Sequence, residues 1–453
     1  MFYLGIDLGT SYFKAGVLDA GGKMKGFGRV AVPKFREGKI SRLSHHDFLN
    51  TLKLCVDDAI KNAGISVAEI VSLSYGSQAN SFVLLDKNRN ELTPFILWND
   101  EQADMMPEIK EFAEESMFKP VTGIGIGISN QFLINKLKWL QANDIDLWSR
   151  AHYVLTMPDY LCFQLTGERV VDASTASLTG MLHYKKTDWW DEAISAVGVD
   201  KSLLSRVLPI GFKASQVASA ANFLNLNIGT AFCTGGLDHH VAAIGAGVGK
   251  LFDISESTGT VIAAVGHGND CNVGQGVCVA SGLSGNSCFK MAFNENGAVA
   301  LEWYQKNYAQ SYSIEELTKL AEGVPAGCDQ LVAQPCANNF KELSGFRNRQ
   351  RQHRHGHFVR AIMESTAKSL GGLFNELQIR EPVRIVSTGG GAKSQLWRKI
   401  KNDITGYDLS TPLYPEAACL GAAMIAATGY GAFKNIYDVQ GQWLQNGQVN
   451  DNK

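Results

Sequence analysis

The first apolar stretch of this 453-residue chain ends in a carboxylate, a glycine and two hydroxyl residues. Asp7 is followed by Leu8 and then by Gly9, Thr10 and Ser11. A Gly-Thr-Ser turn between two strands presents backbone N–H groups and hydroxyls, which are donors suited to phosphate oxygens. Mg²⁺ prefers one or two carboxylates together with phosphate oxygens and water, so Asp7 suits such an ion. The turn therefore predicts a phosphate-binding loop beside a metal ligand.

The same pattern returns later in the chain. GIDLGTSYFKAGVL, residues 5–18, aligns with ISESTGTVIAAVGH, residues 254–267, at an offset of 250 residues. Asp7 falls on Ser257, so only the first copy carries the carboxylate. An internal repeat predicts two similar domains. Two such turns facing each other across a cleft would hold a polyphosphate from both sides, and two ordinary β-hairpins are the alternative.

Strands and helices mixed along the chain predict an α/β fold that positions these turns. Runs rich in apolar residues indicate strands, and apolar positions at helical spacing indicate helices. The predicted strands cover residues 3–8, 12–18, 27–33 and 69–75, and the predicted helices cover residues 47–63, 131–142 and 313–322.

Length and composition limit the classes of protein. A chain of 453 residues favours two domains, and 45% hydrophobic with 19% charged residues favours a globular fold. The net charge of −2 argues against nucleic acid, and no apolar stretch has the roughly 20 residues of a membrane span. Nine cysteines without a CxxC pair argue against a disulfide framework or a zinc site, and we expect a cytoplasmic protein without a signal peptide.

Seven segments, in order along nearly the whole chain, resemble those of the FGGY carbohydrate kinases, and the likeness is xylulokinase-like. The resemblance rests on YLGIDLGTS at the start and on the stretches at residues 77–100, 157–190, 235–247, 256–260, 387–406 and 416–431. It implies a duplicated actin-like, ribonuclease-H-like α/β fold with an interdomain cleft. It also implies two domains, 1–247 with the sugar site, the first phosphate loop and the catalytic aspartate, and 248–453 with the second phosphate loop and adenosine site.

The resemblance makes Asp238 the base that takes the proton of a sugar hydroxyl. The local sequence agrees, because Gly235 and Gly236 break a strand and a helix of small residues begins near Asp238. A helix N-terminus favours the ionised carboxylate that a base requires. An N-cap aspartate is the structural alternative.

The resemblance also carries over the binding residues. The implied sugar contacts are Gln78, Ala79, Asn80, Trp98, Asn99, Asp100 and His239. The implied contacts to ATP are Gly9, Thr10, Ser11 and Lys14, then Thr258, Gly259 and Thr260, and then Gly389, Gly390, Gly391 and Ala392. Ala79 and Asn80 stand where xylulokinases carry Met and His, so the identity of the sugar stays open.

The leading hypothesis is an ATP-dependent, Mg²⁺-requiring kinase of a small sugar or polyol, such as xylulose or a related ketose, with a homodimer left open. A non-catalytic sugar sensor and an actin- or Hsp70-like ATPase are the alternatives. One stretch departs from the family. Residues 345–360 contain five arginines and three histidines. We expect this stretch to be a solvated loop, and the alternatives are that it binds an anionic ligand, forms an oligomer contact or contacts nucleic acid.

Overall fold

A computed structural model describes residues 1–219, 222–379, 383–412 and 414–445. The strands within these ranges are β1 (Phe2–Leu8), β2 (Tyr12–Asp19), β3 (Met24–Ala31), β4 (Phe35–Glu37), β5 (Ile40–Leu43), β6 (Ile70–Ser77), β7 (Phe82–Leu85), β8 (Phe95–Ile96), β9 (Tyr153–Thr156), β10 (Val170–Asp172), β11 (Leu182–His183), β12 (Asp188–Trp189), β13 (Arg206–Leu208), β14 (Lys213–Gln216), β15 (Ala231–Cys233), β16 (Gly236–Leu237), β17 (Ile254–Thr258), β18 (Ile262–Gly268), β19 (Cys278–Ser281), β20 (Cys288–Asn294), β21 (Val332–Ala333), β22 (Phe346–Arg347), β23 (Ile385–Thr388) and β24 (Leu409–Ser410).

The α-helices of the same ranges connect these strands. They are α1 (His45–Ala63), α2 (Pro107–Glu114), α3 (Phe118–Thr122), α4 (Leu133–Asn143), α5 (Ile145–Arg150), α6 (Met157–Thr166), α7 (Ala173–Ala176), α8 (Asp191–Val197), α9 (Asp238–Gly245), α10 (Val299–Tyr308), α11 (Ile314–Glu322), α12 (His355–Glu376), α13 (Gln395–Thr405), α14 (Ala417–Tyr430) and α15 (Ile436–Gln445).

The chain divides into two compact units. The first unit consists of Met1–Lys250, Gly268–Phe289 and Glu416–Lys453, and the second unit consists of Leu251–His267 and Lys290–Pro415. Residues 446–453 of the predicted second domain lie outside the described residues. The division into residues 1–247 and 248–453 by function stays a prediction, because these units divide the chain by packing.

The main sheet of the first unit has the order β14-β15-β6-β1-β2-β3, and β16 also pairs with β6. β1 runs antiparallel to β2 and parallel to β6. Six of the seven residues of β1 are buried, as expected for a strand covered on both faces. A second sheet, with the order β4-β5-β8-β7-β9, carries the segment that the sequence predicts to bind sugar.

Helices α9 and α14 of the first unit cross at close range. A Cβ atom added to Gly421 would lie 1.9 Å from the carbonyl oxygen of Val241, and one added to Gly245 would lie 1.9 Å from that of Ala417. Only glycine allows backbones to approach this closely. The crossing fixes the position of α9, the helix that begins at Asp238.

The second unit repeats the hairpin topology of the first. β17 runs antiparallel to β18 and parallel to β23, and the sheet continues to β24. Buried side chains of α10, α11, α12 and α13 form an apolar core in this unit. Each fully buried aliphatic or aromatic side chain contributes about 1.5–3 kcal/mol to folding.

Most predicted elements are confirmed, with two corrections. The strand predicted at residues 27–33 lies at Met24–Ala31, because the turn after β2 is tight. The Asp19 carboxylate accepts hydrogen bonds from the backbone N–H groups of Gly21 and Lys23, and β3 begins at the next residue. The expectation of no disulfide framework is corrected for one pair, since a disulfide joins Cys271 to Cys288. The other seven cysteines are free thiols.

Candidate active site

Two aspartates lie at the same edge of the main sheet of the first unit. In the parallel ladder, Asp7 of β1 pairs with Gly76 of β6, and Gly236 of β16 pairs with the same Gly76. The carboxyl ends of parallel strands meet at one edge of a sheet, which is where ligands bind in open α/β folds. Asp238 follows β16 directly. The fold therefore brings Asp7 and Asp238 to one edge, with the end of β6 between them.

Asp7 is a buried carboxylate in a charged cluster. Only 6% of the residue is exposed, and one of its oxygens lies 3.3 Å from Nζ of Lys14, its cross-strand partner. Burial raises the pKa of Asp7 to about 6, and the charges of Asp238 and Glu416 act in the same direction against the opposing effect of Lys14. Asp7 and Asp238 are therefore close enough to sense each other's charge.

Lys14 balances two carboxylates at the base of the first hairpin. Its Nζ lies 3.3 Å from Glu416 as well as 3.3 Å from Asp7. Burial lowers the pKa of Lys14, but the two carboxylates outweigh this effect and hold that pKa above its ordinary value. The predicted phosphate contact of Lys14 thus competes with an ion-pair role.

Asp238 begins helix α9 and is half-buried. Its Oδ1 accepts a hydrogen bond of 2.8 Å from the backbone N–H of His239. The N-cap position belongs to Leu237, so the alternative role of Asp238 as the N-cap is not adopted. A Cβ atom on Gly76 would lie 3.4 Å from Cα of Asp238, so glycine at this position lets β6 run close beside the aspartate.

The first turn, which is predicted to bind phosphate, is hydrogen-bonded to the predicted sugar segment. Oγ1 of Thr10 accepts a hydrogen bond of 2.8 Å from Nε1 of Trp98, while its backbone oxygen accepts one of 3.3 Å from Nζ of Lys34. Ser11 is exposed and Gly9 is half-buried. Lys34 is a cation beside this turn that was not identified from the sequence. In sequence, a lysine that bonds to a turn cannot be distinguished from an ordinary exposed lysine near the end of a strand.

Gln78 holds the first turn from the side of β6. Its backbone N–H donates to the carbonyl oxygen of Leu8 at 3.3 Å, and its Nε2 donates to that of Gly9 at 3.3 Å. Ser81 donates to Oε1 of Gln78 at 2.8 Å and accepts from the backbone N–H of Trp98 at 2.9 Å. Gln78 therefore positions the turn, and Ser81 is a linking residue that the sequence did not reveal.

Asn99 has the clearest free acceptor of the sugar segment. Its Oδ1 is buried and has no hydrogen-bond partner among the described residues. A buried acceptor without a partner costs free energy, and a sugar hydroxyl would satisfy it. The adjacent Asp100 is occupied instead, because it accepts from the backbone N–H of Ser41 at 2.7 Å and pairs with the guanidinium of Arg42.

The remaining predicted sugar residues are Ala79, Asn80 and His239. Ala79 is buried, and Oδ1 of Asn80 accepts from the backbone N–H of Leu133 at 2.9 Å, at the start of α4. Asn80 adopts a left-handed backbone with a φ of 60°, a conformation that asparagine tolerates better than most residues. His239 is half-buried, next to Asp238 on α9.

A buried lysine supports the sugar segment from beneath. Nζ of Lys136, on α4, donates to the carbonyl oxygens of Leu97 at 2.7 Å and Trp98 at 2.9 Å. Burial lowers the pKa of Lys136 to about 7, against the attraction of Asp100. Lys136 thus fixes the backbone that carries Trp98 and Asn99.

The second hairpin turn, in the second unit, presents two exposed residues. Gly259 and Thr260 are exposed, whereas Thr258 is fully buried. Oγ1 of Thr258 accepts from Nζ of Lys401 at 2.7 Å and donates to Oε2 of Glu256 at 3.1 Å. The Thr258 hydroxyl is therefore used inside the protein, and the exposed part of the predicted phosphate loop is Gly259-Thr260.

Glu256 and Lys401 form a buried ion pair behind this turn. Both side chains are fully buried, with Nζ of Lys401 2.7 Å from Oε1 of Glu256. Ser387 of β23 also donates to that oxygen. The pair thus links β17, β23 and α13.

The glycine-rich turn after β23 packs against Thr258, the last residue of β17. A Cβ atom on Gly391 would lie 2.8 Å from Cβ of Thr258, and Gly389 has a φ of 75°. Both conditions select glycine. Gly389 and Gly390 are exposed, whereas Gly391 and Ala392 are buried in the 3₁₀ turn Gly390–Lys393. The glycines therefore let this turn approach the predicted phosphate loop of the second unit.

The described part of the chain contains neither a cluster of metal ligands nor a membrane-spanning helix. No group of three or more His, Cys, Asp or Glu residues there has an arrangement that would hold a metal ion. None of the helices in the described ranges is long and apolar enough to cross a bilayer.

Comparison with known proteins identifies the family. The FGGY family of carbohydrate kinases matches through its N-terminal domain over residues 2–245 and through its C-terminal domain over residues 328–430. Xylulose kinase of Bacillus subtilis (strain 168) is 25% identical over 468 residues, covering 98% of this chain and 91% of that protein. Gluconokinase of the same strain is 25% identical over 488 residues, covering 99% of this chain and 92% of that protein.

The fold agrees with solved structures of such enzymes. The crystal structure of gluconate kinase from Lactobacillus acidophilus matches with a TM-score of 0.84 at 20% identity, covering 98% of this chain and 92% of that chain. This likeness confirms the predicted duplicated actin-like α/β fold. With both family domains matched in order, the chain belongs to the FGGY family of carbohydrate kinases and is a carbohydrate kinase.

Proposed function

We propose that this kinase transfers the γ-phosphoryl group of ATP to a hydroxyl of a small sugar or polyol, with Asp238 as the base. The leading substrate is a ketose such as xylulose, because several relatives are xylulose kinases, and gluconate is the second candidate. The observation that carries the proposal is the placement of Asp7 and Asp238 at one sheet edge beside the end of β6.

Asp238 would take the proton of the attacking hydroxyl. It is half-buried at the first turn of α9, and its Oδ1 accepts a hydrogen bond from the backbone N–H of His239. A base within hydrogen-bond reach of the hydroxyl accelerates such transfers by about 10²–10⁴-fold. The buried acceptor of Asn99 would accept a hydrogen bond from a sugar hydroxyl and orient the substrate.

Mg²⁺ fits the first unit. The ion needs only one or two protein carboxylates when phosphate oxygens and water complete its shell, so the absence of a larger ligand cluster among the described residues agrees with it. Asp7 would hold the ion directly or through water, since the neighbouring charges of Asp238 and Glu416 favour a cation there. Bound Mg²⁺ would offset the negative charge of the phosphates.

Backbone N–H groups and hydroxyls of the two turns would bind the phosphates of ATP. Thr10 and Ser11 serve in the first unit and Thr260 in the second, since the backbone N–H of Gly259 already donates to the carbonyl oxygen of Val261 at 3.0 Å. Gly389 and Gly390, which are exposed, would let the adenosine approach the backbone. A cytoplasmic location and a homodimer stay predictions.

Replacing the base tests the proposal. Asp238→Asn should lower sugar-dependent ADP formation by about 10²–10⁴-fold, because the amide cannot take the proton. ATP binding, measured by calorimetry, should persist. Asp57→Asn, the same change on the exposed face of α1, is the control and should behave as wild type. Full activity of Asp238→Asn would overturn the assignment.

The acceptor panel separates the substrates and the alternatives. Wild-type protein is assayed with ketoses, gluconate and polyols, and the preferred acceptor has the largest kcat/KM. Asn99→Ala should raise the KM for that acceptor by about tenfold, as expected for one lost hydrogen bond in a buried site, while the KM for ATP stays unchanged. Sugar binding without any transfer would instead favour a sugar sensor, and ATP hydrolysis without sugar dependence would favour an ATPase.

A further inference from the structure

The basic stretch of residues 345–360 divides into buried anchors and exposed arginines. Its histidines bond inside the second unit. Nε2 of His357 lies 3.1 Å from Oδ2 of Asp329, and Nδ1 of His355 lies 3.0 Å from the hydroxyl of Tyr304. His353 is buried and accepts at Nδ1 from the backbone N–H of Gln350 at 3.0 Å. The histidines therefore fold the stretch rather than bind a ligand.

Four arginines of the stretch remain exposed, and one of them borders a pocket. The exposed arginines are Arg347, Arg349, Arg351 and Arg354. Arg347 lines a pocket of about 380 Å³ that lies entirely in the second unit. This volume is in the range of small-molecule sites. Val332, Ala333 and Pro335 form its apolar wall.

The polar groups of the pocket are oriented as donors. The guanidinium of Arg347 is held by a 3.1 Å hydrogen bond to Oε1 of Gln334, which occupies that acceptor. Lys368, Ser365 and Ser369 complete the polar lining, and none of the described residues that line the pocket is a carboxylate. Two cations without an acidic neighbour among these described residues favour an anion.

Asn296 orients the hydroxyls of Ser365 and Ser369 so that they can donate hydrogen bonds as well. Its Nδ2 donates to Oγ of Ser365 at 3.1 Å and to Oγ of Ser369 at 2.9 Å. Each serine oxygen thus accepts from Asn296, and its O–H can donate to a ligand. Oδ1 of Asn296 accepts from the backbone N–H of Cys336 at 2.9 Å, which fixes the amide in this orientation.

We propose that this pocket binds the phosphate group of a phosphorylated small molecule. A phosphate monoester offers three acceptor oxygens and about two negative charges, which match one guanidinium, one ammonium and two hydroxyl donors. The apolar wall would contact the organic part of the ligand. Both a sugar phosphate and a nucleoside monophosphate carry this group, and both fit the chemistry.

The pocket is connected to the second phosphate turn through Asn296. The next residues, Gly297 and Ala298, pack on that turn, since the backbone N–H of Ala298 donates to the carbonyl oxygen of Gly259 at 2.7 Å. A Cβ atom on Gly297 would lie 2.4 Å from the carbonyl oxygen of Thr260, so this contact is tight. A ligand that binds Ser365 and Ser369 would thus alter the affinity of the turn for ATP, a consequence that rests on the proposed function.

Calorimetric titration of the full chain tests the binding step without any turnover. Inorganic phosphate, ribose 5-phosphate and AMP are the probes. The double variant Arg347→Gln/Lys368→Gln should weaken the binding of at least one probe by about tenfold or more, because two charge-assisted contacts are lost. Arg349→Gln, an exposed arginine outside the pocket lining, is the control and should bind as wild type. A loss with ribose 5-phosphate alone would identify a sugar phosphate, and a loss with AMP alone a nucleotide.

Three results would overturn the proposal. Binding of all three probes that is equal in wild type and in the double variant would show that the pocket does not hold phosphate. Equal weakening in Arg349→Gln would show diffuse charge attraction rather than a site. A raised KM for ATP in the double variant, with the probes bound as in wild type, would assign the pocket to ATP. Asn296→Ala should weaken the same probe even though both cations remain.

Failure of the proposed function would look different. An inactive wild-type kinase would leave the probe titrations unchanged, because they need neither sugar nor transfer. The coupling is measured separately, as a change of about twofold or more in the KM for ATP when the bound probe is present. Loss of that change in the double variant would show that the probe acts from this pocket, and its persistence would show that the probe acts elsewhere.

Discussion

The two hairpins of this chain share a topology but place their charges differently. Each is an antiparallel pair whose first strand runs parallel to a third strand. The turn of the second is one residue shorter, since residues 259–261 separate Thr258 from Ile262 whereas residues 9–12 separate Leu8 from Phe13. The first hairpin carries Asp7 and Lys14 at a partly open site, and the second buries Glu256 with Lys401.

Strand alternation explains the difference. Glu256 precedes Ser257, the residue that aligns with Asp7, so the side chains of Glu256 and Ser257 point to opposite faces of the sheet. The acidic group of the first hairpin pairs with Lys14 and is the one we propose to hold Mg²⁺. That of the second holds Thr258, Ser387 and Lys401 together. The same hairpin topology thus carries the proposed metal ligand in the first unit and a buried ion pair in the second.

Breaking the buried pair should have the largest effect. Lys401→Met leaves Glu256 without its cation in a fully buried position, and we expect a loss of about 3–5 kcal/mol in the free energy of unfolding. Urea denaturation followed by circular dichroism measures it. In the first hairpin, Lys14→Met should cost only about 1 kcal/mol, because the Lys14 side chain is 26% exposed.

The double variant Glu256→Leu/Lys401→Met removes both charges and should recover most of that stability, since apolar residues often replace buried ion pairs without loss. A single Lys401→Met variant as stable as wild type would contradict the view that the pair supports the second turn.

Removing the carboxylate of the first hairpin should affect catalysis rather than stability. Asp7→Asn should lower kcat by about 10²-fold, because the amide is a poor partner for Mg²⁺. The melting temperature should stay equal or rise, since the substitution removes a buried charge. Initial rates across a Mg²⁺ titration measure the effect.

Glu416→Gln provides the matched control, because it neutralises another carboxylate bonded to Lys14. We expect a smaller change in the Mg²⁺ requirement for this variant. An equal change in both variants would mean that the net charge of the cluster matters and that Asp7 has no special role.

Two threonines of the second turn should separate rigidity from ligand binding. Thr258→Val removes a buried hydroxyl with two partners, and we expect a loss of about 1–2 kcal/mol in the free energy of unfolding. Thr260→Val alters an exposed residue and should leave stability unchanged while raising the KM for ATP a few-fold. Thermal denaturation and initial rates on both variants give the answer, and the reverse pattern would contradict the division of roles.

The local parts of this picture could be predicted from the sequence. The hairpins, α1 and α11 show their apolar periodicity within single segments, and the Gly-Thr repeat marks both turns. The Glu256–Lys401 pair could not be predicted, because its partners are far apart in sequence and an internal lysine of an amphipathic helix looks solvent-exposed. Lys136 was missed for the same reason. Lys34 was missed because a lysine in a loop after a strand looks solvent-exposed in sequence. The Cys271–Cys288 disulfide depends on how the intervening segment folds back.

Among the candidate site residues, the positions of Asp7 and Asp238 were the easiest to predict. Asp7 lies near the end of β1, and Asp238 directly follows β16. Thr258, Gln78 and Asp100 were predicted as ligand contacts, yet their side chains bond within the protein. Sequence shows which residue types are available, but the partner of a polar side chain is decided by packing. These site assignments therefore stay proposals that the variants above would decide.

The smallest expected effect concerns Lys136, a buried lysine of the first unit. Lys136 donates to two backbone carbonyls, and burial lowers its pKa to about 7, well below the roughly 10.4 of an unfolded lysine. Between these two values the unfolded chain binds a proton that the native state does not, so this residue makes stability rise with pH. The gain should be of order 1 kcal/mol between about pH 7 and pH 8. Lys136→Met should remove that part of the slope when urea denaturation is repeated across this range, whereas identical slopes would show that Lys136 stays charged on its two carbonyls.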